Sequence, residues 1–179
     1  MTMTSFKATF YAANAPITTY KAGDFLLTHT SGSAAKVIRF GQWLRYHGKM
    51  RKYAHWNHAA YVIDDQGTII EARPTGVRLG HVSEYDGCPT YIVHTKFNKQ
   101  SVDQAVAAAK GYLNDGYGWL NVFSNVIELI TGVKLQITFK KTIDCSALVS
   151  MSLWAGGVVF DVNPLQMMPA DLAAAFEIE

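Results

Sequence analysis

Cys145 carries the most reactive side chain in a place where chemistry can be done. In the string Asp144-Cys145-Ser146-Ala147-Leu148-Val149, Asp144 can cap a helix that opens at the cysteine. Unpaired N–H groups and the dipole at a helix start favour a thiolate over a thiol. The polar neighbours Asp144 and Ser146 are expected to hold the sulfur at a rim. The ordinary alternative is a buried, inert cysteine. A thiolate nucleophile needs a base to take its proton and an acid for the leaving group, and histidine supplies both near neutral pH. His58 opens an apolar, β-branched and aromatic run, and Glu71 stands thirteen positions later. A turn at Asp64-Asp65-Gln66-Gly67 folds these two runs into a hairpin. That places Glu71 beside His58, where it can orient the imidazole and balance its charge. Without that partner, Glu71 reads as a solvated charge at a strand end.

His55 and His58 also form an HxxH pair, a spacing that zinc sites use. A metal site needs three or four ligands, and Cys88, His81 and His94 stand in no compact spacing around the pair. No metal and no cofactor is expected. Cys88 before Pro89 reads as a turn residue, and His29, His47 and His81 as loop or surface histidines.

The elements that must position these residues can be read in order. Residues 1–22 alternate loosely and are expected to form an N-terminal arm or edge strand, and 23–179 a single domain. Gly23-Asp24 leads into the short buried strand Phe25-Leu26-Leu27. Ser31 to Ser33 offer caps for a helix through Arg45 with a basic outer face. After the hairpin, Thr90 to His94 reads as a third strand and Val102 to Leu113 as an alanine-rich helix. A helix over Trp119 to Ile130 follows, and the helix from Cys145 stops at Gly156-Gly157. The fold class is therefore α+β, a mainly antiparallel sheet packed against helices.

Composition bounds the function. With 179 residues and 49% hydrophobic content the chain is an ordinary globular domain, not a disordered one. The net charge is +2, with a basic cluster running only from Arg39 to Lys52, too weak an excess to suggest a nucleic-acid partner. The longest uncharged run, Cys145 to Phe160, has 16 residues, short of the roughly 20 that span a bilayer. No transmembrane segment is expected. The start does not read as a secretory signal peptide, which leaves a cytoplasmic place or a non-classical or phage route of export.

Gly23-Asp24, Asn57-His58-Ala59-Ala60-Tyr61-Val62, Ile70-Glu71-Ala72, Gly76-Val77, Tyr91-Ile92-Val93 and Asp144-Cys145-Ser146-Ala147-Leu148-Val149 together resemble a known pattern. It is that of the circularly permuted, NlpC-like papain-fold cysteine amidases and peptidases, the YiiX/YebB-like branch. The resemblance runs from about Gly23 to Gly157, and the order His58, Glu71, Cys145 fits the permuted arrangement. It implies Cys145 as nucleophile, His58 as general base and acid, and Glu71 as third member. It also implies an oxyanion hole built partly from the backbone N–H of Cys145. Thr28 falls about where the family often carries a side-chain oxyanion donor, and Asp24 belongs to the strand entry. Tyr117 and Trp119 look like the aromatic segment that lines the cleft, and Ser146 flanks the nucleophile. The implied substrate is a peptide or acyl amide, with bacterial or phage cell-wall peptides foremost.

Two rivals stand beside this reading. Lecithin:retinol acyltransferase-like enzymes share a similar layout and act on lipid esters and thioesters. They tend to have a second histidine where this chain has Glu71, which favours the amidase. The other rival is a non-catalytic binding or virion structural module on the same fold.

Overall fold

The computed structural model of the chain describes residues 6–113, 115–117 and 142–179. Its centre is a six-stranded sheet in the order β1-β6-β2-β3-β4-β5, with every neighbouring pair antiparallel. The strands are β1 (Lys7–Tyr11), β2 (Phe25–Thr28), β3 (His58–Val62), β4 (Thr68–Arg73), β5 (Gly76–His81) and β6 (Thr90–His94). Two two-residue strands, β7 (Gly116–Tyr117) and β8 (Thr142–Ile143), pair in parallel apart from it. The helices are α1 (Ser33–Arg45), α2 (Lys99–Gly111), α3 (Cys145–Ala155) and α4 (Pro169–Ala175). The α+β class with an antiparallel sheet is thus observed. The expected helix over Trp119 to Ile130 lies outside the described residues.

Side chains of a strand alternate between the two sides of the sheet, and both sides are covered here. Phe25, Leu27, Ala59, Tyr61, Ile70, Ala72 and Val93 face a core shared with α2, α3 and α4. Leu26, Ala60, Val62, Ile69 and Ile92 face a second core, closed by Ile17, Val82 and Tyr85. Burial on both faces explains why β2 and β3 read as unbroken apolar runs. The segment before residue 22 supplies β1, the edge strand on β6, and then crosses the second core. Ile17 N–H donates to Asp86 Oδ1 there at 2.9 Å.

The hairpin that joins β3 to β4 forms as its residues demand. Asp64 Oδ1 accepts the N–H groups of Gln66 and Thr68, and Gly67 takes φ +89°, open to a residue without Cβ. A Cβ at Gly67 would also stand 2.9 Å from Tyr20 and His81.

Helix α3 is apolar on nearly all sides and buried accordingly, against α2, β3 and β4. Its serines are satisfied within the helix: Ser150 donates to Ser146 O and Ser152 to Leu148 O. Asp144 caps it, accepting the Ala147 N–H at 2.7 Å, and Gly156-Gly157 end it. Helix α2 starts three residues before its expected place, because Asn98 caps it by accepting the Ser101 N–H. Helix α1 has no side-chain cap, since Gly32 holds that place and Ser33 is already helical. Buried Gln42 of α1 donates to Ala54 O and Trp56 O and accepts the Ala170 N–H, tying α1 to the 3₁₀ segment Gly48–His55 and to α4.

Candidate active site

His58 is the first residue of β3, and Glu71 lies in β4 on the same side of the sheet. His58 Nε2 is 2.7 Å from Glu71 Oε2, as the hairpin spacing led us to expect. Glu71 is fully buried, and it collects three more partners. Arg73 Nε donates to Oε2 at 2.9 Å, Arg78 Nη2 is 2.6 Å from Oε1, and the Tyr85 hydroxyl donates to Oε2. Burial alone would raise the Glu71 pKa. The hydrogen bond and charge of His58, with the bonds from Tyr85 and Arg73, outweigh it and pull the pKa down to about 2. An ionised carboxylate only accepts, so the proton of the shared bond sits on Nε2. Nδ1 is then the basic nitrogen, and among the described residues it has no hydrogen-bond partner. The Tyr85 ring lies roughly parallel to the imidazole, 5.6 Å between centroids.

Arg73, Arg78 and Tyr85 were not singled out in the sequence. One signal was there: Glu71 and Arg73 share a strand face at period two, and the β4–β5 register sets Arg78 directly across from Glu71. Gly80 keeps the space open, for a Cβ there would stand 3.1 Å from Glu71 Oε1 and 2.9 Å from Glu84 Oε1.

Cys145 opens α3 as expected, but its environment corrects the expected rim position and thiolate. The residue is 2% exposed and belongs to the core on the helical side of the sheet. Burial, then the charge of Asp144, pushes the thiol up to about 12. Backbone hydrogen bonding from Ala59 and Ser146 acts in the opposite direction and does not compensate. Desolvation here outweighs the helix start. Asp144 is itself pushed up to about 6 by burial, against the N–H of Ala147 and the hydroxyl of Ser146.

The sulfur therefore meets β3 at Ala59, next in sequence to His58, while the imidazole leans to the opposite side with Glu71 and Tyr85. No Cys145–His58 hydrogen bond occurs among the described residues. The β3–β4 ladder pairs Tyr61 with Ile70 and Val62 with Ile69, so Ala59 and His58 lie beyond its last pair.

The remaining expected cleft residues separate. Thr28 pairs with His58 in register, but its hydroxyl donates to Pro89 O and accepts from Thr90, and it is fully buried. It is not free to serve as an oxyanion donor. Asp24 lies at the other end of β2, where its carbonyl accepts the N–H of Val62, the last residue of β3. Its carboxylate accepts from His94 Nδ1, the Thr95 N–H and the Lys21 N–H, so it is not part of the His58 site. Ser146 is buried and its hydroxyl donates to Asp144, leaving its backbone at the helix start. The backbone of Tyr117 runs beside Ile143, two residues before Cys145. Trp119 lies outside the described residues. Among the described residues no group of three His, Cys, Asp or Glu side chains is placed to hold a metal. No helix of the described residues is long and apolar enough to cross a membrane. Among known proteins, no family model matches the chain and no curated protein matches it.

Proposed function

We propose that the protein is a thiol hydrolase that cleaves an amide bond, on a permuted papain-like fold, with Cys145 as nucleophile. The observation that carries this reading is the His58–Glu71 pair: a buried carboxylate fixes the proton on Nε2 and leaves Nδ1 basic, at the end of β3 where Cys145 arrives. His58 Nδ1 takes the thiol proton as sulfur adds to the substrate carbonyl. Hydrogen bonds between nucleophile and base are commonly long in ligand-free enzymes and close when substrate binds. The developing oxyanion is held by the N–H of Cys145 at the start of α3, a position where hydrogen-bond donors converge on negative charge. The C–N bond then breaks, His58 returns its proton to the departing amine, and a thioacyl-enzyme remains. Water, deprotonated by the same nitrogen, releases the acid and restores the thiol. The resemblance read in the sequence points to peptide amides of the bacterial cell wall as substrate.

One observation favours the non-catalytic reading: a thiol held near 12 is not activated at rest. A single pair of assays separates the two. Purified peptidoglycan and soluble muropeptides incubated with the protein should yield new amino termini, and Cys145→Ala should yield none. Brief iodoacetamide labelling followed by mass spectrometry should modify Cys145 faster once a muropeptide is present. If Cys145→Ala retains the activity, or if neither material is cut, the hydrolase reading fails.

A further inference from the structure

Helix α1 has two apolar faces where a surface helix needs one. Ala35, Ile38, Gly41 and Gln42 are buried inward. On the outside Val37, Phe40 and Trp43 follow at three-residue spacing and are exposed, Phe40 by 55% and Trp43 by 50%. Their two rings are nearly parallel, with centroids 6.3 Å apart, and Met50 of the 3₁₀ segment adds a further exposed apolar side chain. Between helix and segment runs an open groove of about 470 Å³, lined by Lys36, Arg39, Phe40, Trp43, Arg51 and His55. The Arg51 guanidinium sits 4.7 Å from the Trp43 ring centre.

The charge around this ridge is one-sided. From Phe25 through Ile63 the chain has six lysines and arginines and no aspartate or glutamate, whereas the whole chain is only +2. Arg45 and Lys52 are matched by Asp171 and Glu179. Lys36, Arg39, Lys49 and Arg51 have no carboxylate in ion-pair range among the described residues.

We infer that α1 and the segment Gly48–His55 form a docking surface for an anionic phospholipid bilayer. Val37, Phe40, Trp43 and Met50 enter the boundary between headgroups and acyl chains, and the four unmatched cations lie on the lipid phosphates. An apolar ridge flanked by lysine and arginine is the composition of helices that lie in that plane. A nucleic acid would use the rings and cations but would leave Val37 and Met50 without a partner. The segment leaves the sheet at Thr28 and returns at His58, so docking brings the open end of β3 to the lipid surface. The inference stands whether or not Cys145 is catalytic.

The test is sedimentation of the full chain with phosphatidylcholine vesicles, with and without about 30% phosphatidylglycerol, at ~0.1 M salt. Binding should be at least about tenfold tighter to the anionic vesicles and should fall steeply with added salt. Each reversed cation should cost about fivefold, so Lys36→Glu with Arg51→Glu should weaken binding more than tenfold, while Lys110→Glu on α2 should change nothing. Phe40→Ser with Trp43→Ser should weaken it to a similar extent, with circular dichroism confirming the fold. The paired charge variant decides the matter should the aromatic one unfold. Cys145→Ala should bind as the parent does, which separates this result from any failure of the hydrolase assay. The inference is overturned by equal binding to neutral and anionic vesicles, by no binding, or by variants that bind like the parent. Tighter binding of a single-stranded oligonucleotide through the same residues would also overturn it, with nucleic acid as the partner.

Discussion

The sheet holds two histidine–carboxylate pairs at opposite ends, alike in distance and in the burial of the acid but unlike in what surrounds them. His58 meets Glu71 at 2.7 Å and His94 meets Asp24 at 2.9 Å, both carboxylates fully buried. Yet Glu71 is pulled down to about 2, whereas burial raises Asp24 above its ordinary value. Glu71 has Arg73 and Arg78 against it and a tyrosine hydroxyl donating to it. Asp24 has two backbone N–H groups and, among the described residues, no cation besides what His94 supplies. The far nitrogens differ too: His94 Nε2 is taken up by Thr9 Oγ1 at 2.9 Å, while His58 Nδ1 is free among the described residues. A histidine beside a carboxylate is thus no sign of chemistry by itself. The cations around the acid, and a second ring nitrogen left without a partner among the described residues, set the His58 pair apart from the His94 pair, which ties the edge strand β1 in place.

The largest effect that tests this contrast is on turnover. His58→Ala should lower kcat/KM on a muropeptide by about 10²–10⁴-fold, while His94→Ala should leave it within about threefold. Equal losses would erase the distinction. Stability should separate the carboxylates next. Glu71→Gln strands two arginines over a buried amide and should cost about 3 kcal/mol in urea unfolding at neutral pH, against about 1 kcal/mol or less for Asp24→Asn.

The pH dependence has opposite signs at the two ends. Glu71 has a folded pKa below its unfolded value, so it stabilises the fold above about 4.5, and that contribution is lost as pH falls from there toward about 2. Asp24 has a folded pKa above its unfolded value, so its ionisation erodes stability as pH rises from about 3.8 through that raised value. Urea midpoints measured from pH 6 down to pH 3 should show the deficit of Glu71→Gln shrinking. Those of Asp24→Asn should fall further behind the parent over the same range. A smaller effect should come from Gly80→Ala, which pushes a methyl group at Glu71 and Glu84 and should cost about 1–2 kcal/mol. The corresponding insult near His94 is Gly23→Ala, which meets Val102 and Thr95 and disturbs no ion pair of the His58 site.

How much of this could be read beforehand depended on range along the chain. The hairpin around Gly67 and the start of α3 are local, so His58, Glu71, Asp144 and Cys145 fell into place from turn residues and caps. Strand β5 did not, because Gly76 and Gly80 deprive it of strand propensity, and with it went Arg78. Tyr85 needed knowledge of which loop covers the second core. The family resemblance assigns Asp24 and Thr28 to one cleft, but the four-residue antiparallel strand β2 carries them to opposite ends of β3. The burial of Cys145 does have a signal in the sequence: a helix that is apolar on nearly all sides leaves no outward face for its first turn.

Gln42 has a consequence for how the molecule opens. Its amide satisfies the carbonyls of Ala54 and Trp56 before β3 and the free Ala170 N–H in the first turn of α4 at once, with no water needed. Peeling α1 away would expose three unmatched polar groups together, so the helix should not fray alone. In hydrogen exchange, the Ala170 amide should exchange at the same rate as the inner amides of α1, because one event releases both. The C-terminal helix, 128 positions away in sequence, then belongs to the same cooperative unit as the surface that α1 presents.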